Sequence, residues 1–173
     1  MARTQQQVAP TADARPLTAD EEAVLRALGP ALKVLVRAFG ADLMREQGMS
    51  STEYAVLMFL SEAPDRTLGL SELAGRCQQS LSAVSRTLGR LEATGLARRE
   101  RALDDARSAN AVLTDAGLLR LEEAWPTHVA SVRRHLFDHL EGLDLHALAA
   151  AFQHIAAEGA ANSDPCPPEL PCD

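Results

Sequence analysis

Hydrophobic residues recur at intervals of three and four along most of this chain, and the pattern is sharpest between residues 80 and 95. Its apolar positions share one helical face: Leu81, Val84, Leu88 and Leu91. The opposite face carries small, hydroxyl-bearing or positively charged residues: Ser82, Ala83, Ser85, Arg86, Gly89 and Arg90. Ser80 is suited to cap the start of the helix and Gly95 to end it. The segment therefore predicts an amphipathic helix with a polar, basic outer face.

Shorter elements flank this helix. Residues 71–77 predict a short helix, which a Gln-Gln turn separates from the longer one. After the longer helix, residues 96–102 and 110–114 predict two strands joined by a loop that contains Asp104, Asp105 and Arg107. Residues 67–70 can add a short strand beside this hairpin. Helix, turn, capped helix and basic hairpin together indicate a winged helix-turn-helix.

Two helices are predicted before this unit. Thr18 and Ser50 each begin a capping box, and the helices that follow end near Gly48 and Leu60. Pro30 lies inside the first helix, so we expect a kink or a short break there. The apolar stripe of that helix consists of Leu25, Leu28, Leu32, Leu35, Phe39 and Leu43.

Two further helices are predicted after the hairpin. The first runs from Asp115 to about Leu140, with a bend expected at Pro126. Its apolar stripe consists of Leu118, Leu121, Trp125, Val129, Val132, Leu136 and Leu140. The second is capped by Asp144 and ends at Gly159. A single chain would leave much of these stripes in water, so the terminal helices indicate a partner.

The charge is distributed unevenly along the chain, with one basic segment in an otherwise acidic protein. The 173-residue chain has a formal net charge of −7, which by itself argues against a nucleic-acid partner. Between Arg76 and Arg101, however, six arginines stand against two glutamates, so this segment carries +4 and the rest of the chain −11. Phosphate contacts need positive charge only where the duplex lies, so a basic face on an acidic body favours DNA. A solvated helix face is the alternative that charge alone leaves open.

The length, the aromatic content and the motifs that are missing bear on the class of protein. The length suggests one domain, and an aromatic content of only 3% favours a helical core of Leu, Ala and Val. No run of 18 apolar residues occurs and the N-terminus lacks an apolar signal core, so we expect a cytoplasmic protein without a membrane partner. No common catalytic or phosphate-binding motif is present, so we expect neither enzyme activity nor a cofactor.

The order of motifs from residue 71 to residue 117 resembles the MarR family of transcriptional regulators. S-E-L-A at 71–74 is followed by S-x-S-x-V-x-R at 80–86, R-L-E-x-x-G-L at 90–96, D-x-R at 105–107 and L-T-D-A-G at 113–117. The resemblance covers roughly residues 18–158. It implies a two-fold homodimer on a pseudo-palindromic operator, acting as a repressor that a small molecule releases. A winged-helix module that binds protein instead of DNA is the alternative, favoured if the face around Arg86 were covered in the dimer instead of open to solvent.

On this interpretation the fold is mainly α with a small β-wing: a winged helix-turn-helix DNA-binding unit flanked by long dimerisation helices. The DNA-binding unit occupies residues 50–114, and the dimerisation helices occupy 17–48 and 115–159. Together they form one domain at 17–160. Residues 1–16 and 161–173 are expected to be disordered tails.

The candidate DNA contacts lie on the helix at 80–95 and on the hairpin: Ser80, Ser82, Ala83, Ser85, Arg86, Arg90, Arg99, Asp105 and Arg107. Arg86 is the best candidate for a bidentate contact to guanine. Arg90, one turn later, is expected to meet phosphate, with an ion pair to a neighbouring acid as the alternative. The resemblance places Arg107 at the tip of the wing, oriented by the acid two residues before it. Arg98 and Arg99 alternate on a strand, so only one of them faces DNA.

The resemblance also implies an effector, a small phenolic or other aromatic acid, bound where the dimer helices meet the DNA-binding unit. The candidate pocket residues are Arg37, Phe39, Tyr54 and Trp125. Packing in the core is the alternative role for the three aromatic residues.

Histidines and cysteines predict no further site. Three histidines are spaced to share one side of the long helix, which can suit zinc: His128, His135 and His139. No additional ligand is evident, so we expect surface or interface histidines and no metal. Cys77 occupies a position usual for a core residue. Cys166 and Cys172 lie in a Pro-rich tail, where a disulfide or a metal clip has no support.

Overall fold

The structure is a computed structural model that describes residues 15–101 and 109–161. The helices in these ranges are α1 (Ala19–Gln47), α2 (Ser51–Ser61), α3 (Leu70–Arg76), α4 (Leu81–Ala93), α5 (Asp115–His135) and α6 (Leu145–Ala161). The strands are β1 (Thr67–Gly69), β2 (Ala97–Arg101) and β3 (Ala109–Leu113). The predicted fold, mainly α with a small β-wing, is confirmed.

The first helix begins and ends as its sequence predicts. The Thr18 side chain accepts a hydrogen bond from the main-chain N–H of Glu21, whose carboxylate accepts one from the Thr18 N–H in return. Gly48, in the left-handed conformation with φ 61°, ends the helix. The helix is continuous through Pro30, so a break there is excluded. Water can satisfy the carbonyl that Pro30 leaves without a donor, because this part of α1 is exposed.

Helices α2, α3 and α4 and the sheet enclose the hydrophobic core. Its fully buried side chains include Leu57, Leu60, Leu73, Val84, Leu88 and Ala111. Three of the four apolar positions predicted for α4 lie in this core, but Leu81 is exposed. Helical side chains lean toward the N-terminus, so that of Leu81, in the first turn, extends past the packed part of the helix.

The three strands form an antiparallel sheet in the order β1-β3-β2. Thr67 pairs with Val112 on one side of β3, and Ala97 pairs with Leu113 on the other. The short strand predicted at residues 67–70 is therefore present. Because β3 is central, it carries the buried positions, whereas β2 is an edge strand with four exposed positions after Ala97.

Helix α5 packs inward through small residues. Its buried positions are Gly117, Leu121, Ala124 and Ser131. A Cβ atom at Gly117 would lie 2.0 Å from the carbonyl oxygen of Leu96, so only glycine permits this close approach of α5 to the residue before β2. Of the predicted stripe only Leu121 is buried, and Trp125 is 54% exposed. Most of the large apolar residues of α5 thus border the packed face and do not form it.

The end of α5 differs from the prediction. The helix stops at His135, not near Leu140, because the backbone at Leu136 leaves the helical region with φ −123°. A short 3-10 turn and Gly142, with φ 84°, then redirect the chain into α6. Pro126 does not interrupt α5, and α6 continues past the predicted stop at Gly159.

Within residues 15–101 and 109–161, no helix combines the length and apolar character needed to cross a membrane.

Candidate nucleic-acid interface

The N-terminal turns of α4 present an open, polar edge. Ser80 caps the helix, since its hydroxyl accepts from the main-chain N–H of Ala83 at 3.2 Å. The hydroxyls of Ser80 and Ser82 lie 3.1 Å apart, and both residues are exposed. The opposite face of the same turns holds Val84, which is fully buried. This edge is therefore presented to solvent by a helix that the core fixes in place.

Arg86 extends this edge by one turn. It is exposed, and none of the ion pairs in the described part of the chain involves it. A guanidinium group in this position has its donor fork available for an external acceptor. Among residues 15–101 and 109–161, nothing covers the face around Arg86.

Arg90, the next arginine on α4, is engaged within the protein. Its Nε donates to the Glu53 carboxylate at 2.9 Å, and one terminal nitrogen donates to the Thr87 hydroxyl at 3.2 Å. Burial alone would raise the pKa of Glu53, but hydrogen bonds from Arg90 and Ser50 outweigh it and lower that pKa. The ion pair that the sequence left as the alternative for Arg90 is the arrangement found.

The two arginines of β2 have different surroundings. Arg99 donates to the main-chain carbonyl of Ser85 at 2.7 Å and to the Ser85 hydroxyl at 3.2 Å. Its guanidinium also lies 3.3 Å from the carboxylate of Glu92. Arg98 pairs instead with Glu100 on its own strand. The side chain of Arg99 therefore lies along α4, and Ser85 is part of that contact.

Two of the predicted DNA contacts, Asp105 and Arg107, lie outside the described residues, as does Asp104. Cys166 and Cys172 also lie outside them. Cys77 is half-buried, and burial raises the pKa of its thiol.

Three of the four predicted pocket residues surround a histidine that the sequence did not assign to the pocket. The Tyr54 and His128 ring centroids are 4.5 Å apart, and those of Phe39 and Trp125 are each 6.2 Å from His128. Arg37 is exposed on α1 and makes none of these ring contacts. His128 lies three residues after Trp125, and this spacing on one helical face is the signal that could have found it.

Two buried polar atoms in this cluster have no hydrogen-bond partner among the described residues: the Tyr54 hydroxyl and Nδ1 of His128. Burial raises the pKa of Tyr54 to about 12 and lowers that of His128, so both side chains are neutral near pH 7. Beside His128, between α5 and the start of α6, is an open cavity of about 590 Å³ lined by Trp125, Val129 and Val132, among others. The cluster can thus offer neutral hydrogen-bonding groups beside aromatic surface.

A buried carboxylate, also missed from the sequence, joins α1 to α5. Asp42 accepts hydrogen bonds from the Ser131 hydroxyl at 2.7 Å, from Arg45 at 2.6 Å and from Arg134. Nε2 of His135 lies 3.0 Å from the same carboxylate. The Ser131 hydrogen bond is the largest of the causes that hold the pKa of Asp42 well below its usual range. Among the described residues, no group of three potential ligands is placed to hold a metal ion.

Comparison with known proteins relates this arrangement to one family. A model of the MarR family matches residues 47–108. The HTH-type transcriptional repressor YetL of Bacillus subtilis is 26% identical over 113 residues, which cover 64% of this chain and 68% of YetL. The uncharacterised HTH-type transcriptional regulator YkoM of B. subtilis is 31% identical over 125 residues, which cover 68% of this chain and 79% of YkoM.

A solved structure extends this similarity beyond the central unit. The crystal structure of a MarR family transcriptional regulator from Streptomyces coelicolor, in complex with DNA, superposes with a TM-score of 0.75 at 36% identity. The match covers 88% of this chain and 94% of the other, so it includes the long helices as well as the unit from α2 to β3.

Proposed function

This chain belongs to the MarR family of transcriptional regulators, and we propose that it binds double-stranded DNA as a homodimer and represses transcription until a small effector releases it. One observation carries the proposal: the outer face of the N-terminal half of α4 is open while the inner face is anchored in the core. The DNA complex of the Streptomyces relative supports it, since that protein is 36% identical.

We propose Ser80, Ser82, Ala83 and Arg86 as the edge that enters the major groove. The first turns of a recognition helix reach base edges in this docking mode. Arg86 is long enough and open enough to give a bidentate contact to O6 and N7 of guanine. Asp105 and Arg107 are proposed as wing contacts on their sequence alone.

The proposed dimer rests on apolar surface that the single chain leaves exposed. On α6, Phe152 is 53% and Ile155 64% exposed, and α1 exposes Leu25, Leu28 and Leu32. Apolar side chains of this size contribute about 1.5–3 kcal/mol each when buried. A two-fold dimer through these helices would cover them and present two copies of α4 to a pseudo-palindromic operator. The proposed division therefore assigns residues 50–114 to DNA and residues 17–48 and 115–159 to dimerisation.

The proposed effector site is the cluster of Phe39, Tyr54, Trp125 and His128. Its two buried polar atoms, which have no partner among the described residues, can donate to or accept from a phenolic ligand, and the rings can stack on it. Arg37 remains a candidate for the carboxylate of an aromatic acid. Repression is proposed from the relative YetL, which is named a transcriptional repressor.

Selection from randomised duplexes tests the proposed function. We expect wild-type protein to enrich a sequence with two inverted half-sites whose centres lie about 10 base pairs, or a multiple of that, apart. Enrichment of a single half-site would contradict the dimer. No enrichment at low salt would contradict DNA recognition as a whole.

The effector site is tested by Tyr54→Phe, which removes the buried hydroxyl and keeps the ring. We expect operator affinity to remain and release by phenolic ligands to be lost. Ser61→Ala, a hydroxyl removed at the other end of α2, serves as the control. Release of the Tyr54→Phe variant at wild-type ligand concentrations would exclude this site.

A further inference from the structure

The strand β2 is fastened to α4 by one arginine. The guanidinium of Arg99 donates to the carbonyl oxygen of Ser85, a main-chain atom of the proposed recognition helix. The Glu92 carboxylate lies 3.3 Å from the same guanidinium and accepts from the main-chain N–H of Arg99 at 2.9 Å. Ser85 and Glu92 are two helical turns apart, about 10 Å along the axis. Arg99 therefore holds the strand at two separated points of the helix.

The contacts of Arg99 with Ser85 and Glu92 occupy the guanidinium nitrogens that would otherwise bind a phosphate. One terminal nitrogen is directed at Ser85, the other faces Glu92, and the carboxylate of Glu92 offsets the positive charge. Both side chains are exposed, but Arg86 has no such partner in the described part of the chain. The sequence grouped both arginines as DNA contacts, but their surroundings differ.

We propose that Arg99, together with Glu92, is a positioning residue: it sets the wing strands against the recognition helix and does not itself bind DNA. The inference rests on the proposed DNA-binding function and assigns this residue a part in it. Fixing β2 to α4 keeps the hairpin and the helix at one relative orientation. A duplex that must meet both elements at once is bound more tightly when that orientation is formed beforehand.

Glu92→Gln separates this role from direct contact because the two predict opposite signs. Each protomer loses one negative charge near the proposed DNA surface. If Arg99 contacted phosphate, the change would release its charge and tighten binding. If Arg99 positions the wing, the change weakens the contact between Arg99 and Glu92. We then expect the affinity for DNA to fall about tenfold, which corresponds to about 1.4 kcal/mol. Glu100→Gln makes the same charge change on the neighbouring strand position and is the matched control.

Arg99→Lys supplies a second test, with Arg98→Lys as its control. Lysine keeps the positive charge and can meet a phosphate, but it lacks the planar fork that reaches Ser85 and Glu92 together. We expect Arg99→Lys to lose affinity as Glu92→Gln does and Arg98→Lys to bind like wild type. Wild-type affinity of Arg99→Lys, or tighter binding of Glu92→Gln than of Glu100→Gln, would overturn the proposal.

A third measurement excludes a purely stabilising role. Base preferences are compared by selection at a temperature where every variant is fully folded by circular dichroism. We expect Glu92→Gln and Arg99→Lys to lose preference at the positions flanking each half-site and to keep the preference that Arg86 confers. If both variants are less stable yet retain their flanking preferences, the contact is structural only and the proposal fails.

The outcome also distinguishes this inference from the proposed function. If wild-type protein enriches no DNA sequence, the proposed function is wrong. The contact of Arg99 with α4 is then tested in the protein without DNA. Hydrogen exchange of β2 amides should become faster in Glu92→Gln and Arg99→Lys while that of the α1 and α5 amides stays the same. Unchanged exchange in β2 would show that Arg99 does not hold the strand.

Discussion

The unit from α2 to β3 and the terminal helices differ in how far their apolar residues are buried. In the central unit, Leu57, Leu60 and Leu88 are fully buried by neighbouring elements of the same chain. On the terminal helices, residues of the same kind, such as Leu25 and Ile155, remain largely exposed. Both regions carry the same three-and-four spacing. This periodicity therefore identifies an apolar face but not the chain that covers it.

The polar contacts follow the same division. Within the central unit, Glu53 with Arg90 and Glu92 with Arg99 fix α4 to its neighbours. Within the terminal helices, Asp42 of α1 accepts hydrogen bonds from Ser131 and Arg134 of α5. The central unit is therefore held by its own contacts, and α1 and α5 are held to each other, while the outer apolar surfaces of the terminal helices remain exposed.

The largest expected effect comes from charging the outer surface of α6. Phe152→Glu should dissociate the proposed dimer, because the substitution occurs twice in a two-fold interface and removes about 3–6 kcal/mol of apolar burial. Sedimentation at micromolar concentration measures it. Gln153→Glu adds the same charge at the next position and should leave the dimer intact. A dimeric Phe152→Glu variant would place the interface elsewhere.

The second effect contrasts one leucine from each region. Leu88 is 0% exposed in α4, so Leu88→Ala should lower the free energy of unfolding by about 2–5 kcal/mol at any protein concentration. Leu28→Ala on α1 should act only through the dimer, so its effect should disappear on dilution. Urea unfolding at two protein concentrations distinguishes them. Equal, concentration-independent losses would mean that the terminal helix is also packed by its own chain.

Local signals account for what the sequence predicted well. The capping boxes at Thr18 and Ser50, the stripe of α4 and the strand pattern each depend on residues within a few positions of one another. The structure follows them because the same contacts form in it.

The features that the sequence did not predict depend on contacts between residues far apart in the chain. The partner of Arg90 is 37 residues away in sequence, and Asp42 and Ser131 are 89 residues apart. The packed face of α5 was also not predicted, because small residues such as Gly117 and Ala124 give no hydrophobic signal. They nevertheless permit close approach of α5 to its neighbours. Spacing alone cannot identify these partners.

The third effect concerns the contact between α1 and α5, which are both terminal helices. The folded-state pKa of Asp42 lies well below its ordinary value near 3.8, chiefly because Ser131 and then Arg134 and Arg45 donate to the ionised form. A lowered pKa stabilises the fold at pH values above the ordinary one, and that stability is lost as the pH falls through about 5 and below. Asp42→Asn should therefore cost about 1–3 kcal/mol at pH 7 and progressively less in acid.

Unfolding of wild type and Asp42→Asn at pH 7 and pH 3.5 measures this difference. Asp138→Asn, an exposed carboxylate in the turn after α5, should behave like wild type at both values. A cost for Asp42→Asn that stays constant with pH would show that its charge does not stabilise the contact between α1 and α5.

Arg86→Ala tests whether the open edge of α4 reads DNA. Selection from randomised duplexes is run with wild type, with this variant and with Arg26→Ala, which removes an exposed arginine from α1. We expect Arg86→Ala to lose about 1–3 kcal/mol of discrimination at one base pair in each half-site, with the other positions retained. Arg26→Ala should select the wild-type sequence. If Arg86→Ala keeps every wild-type base preference, the edge of α4 is not the reading surface.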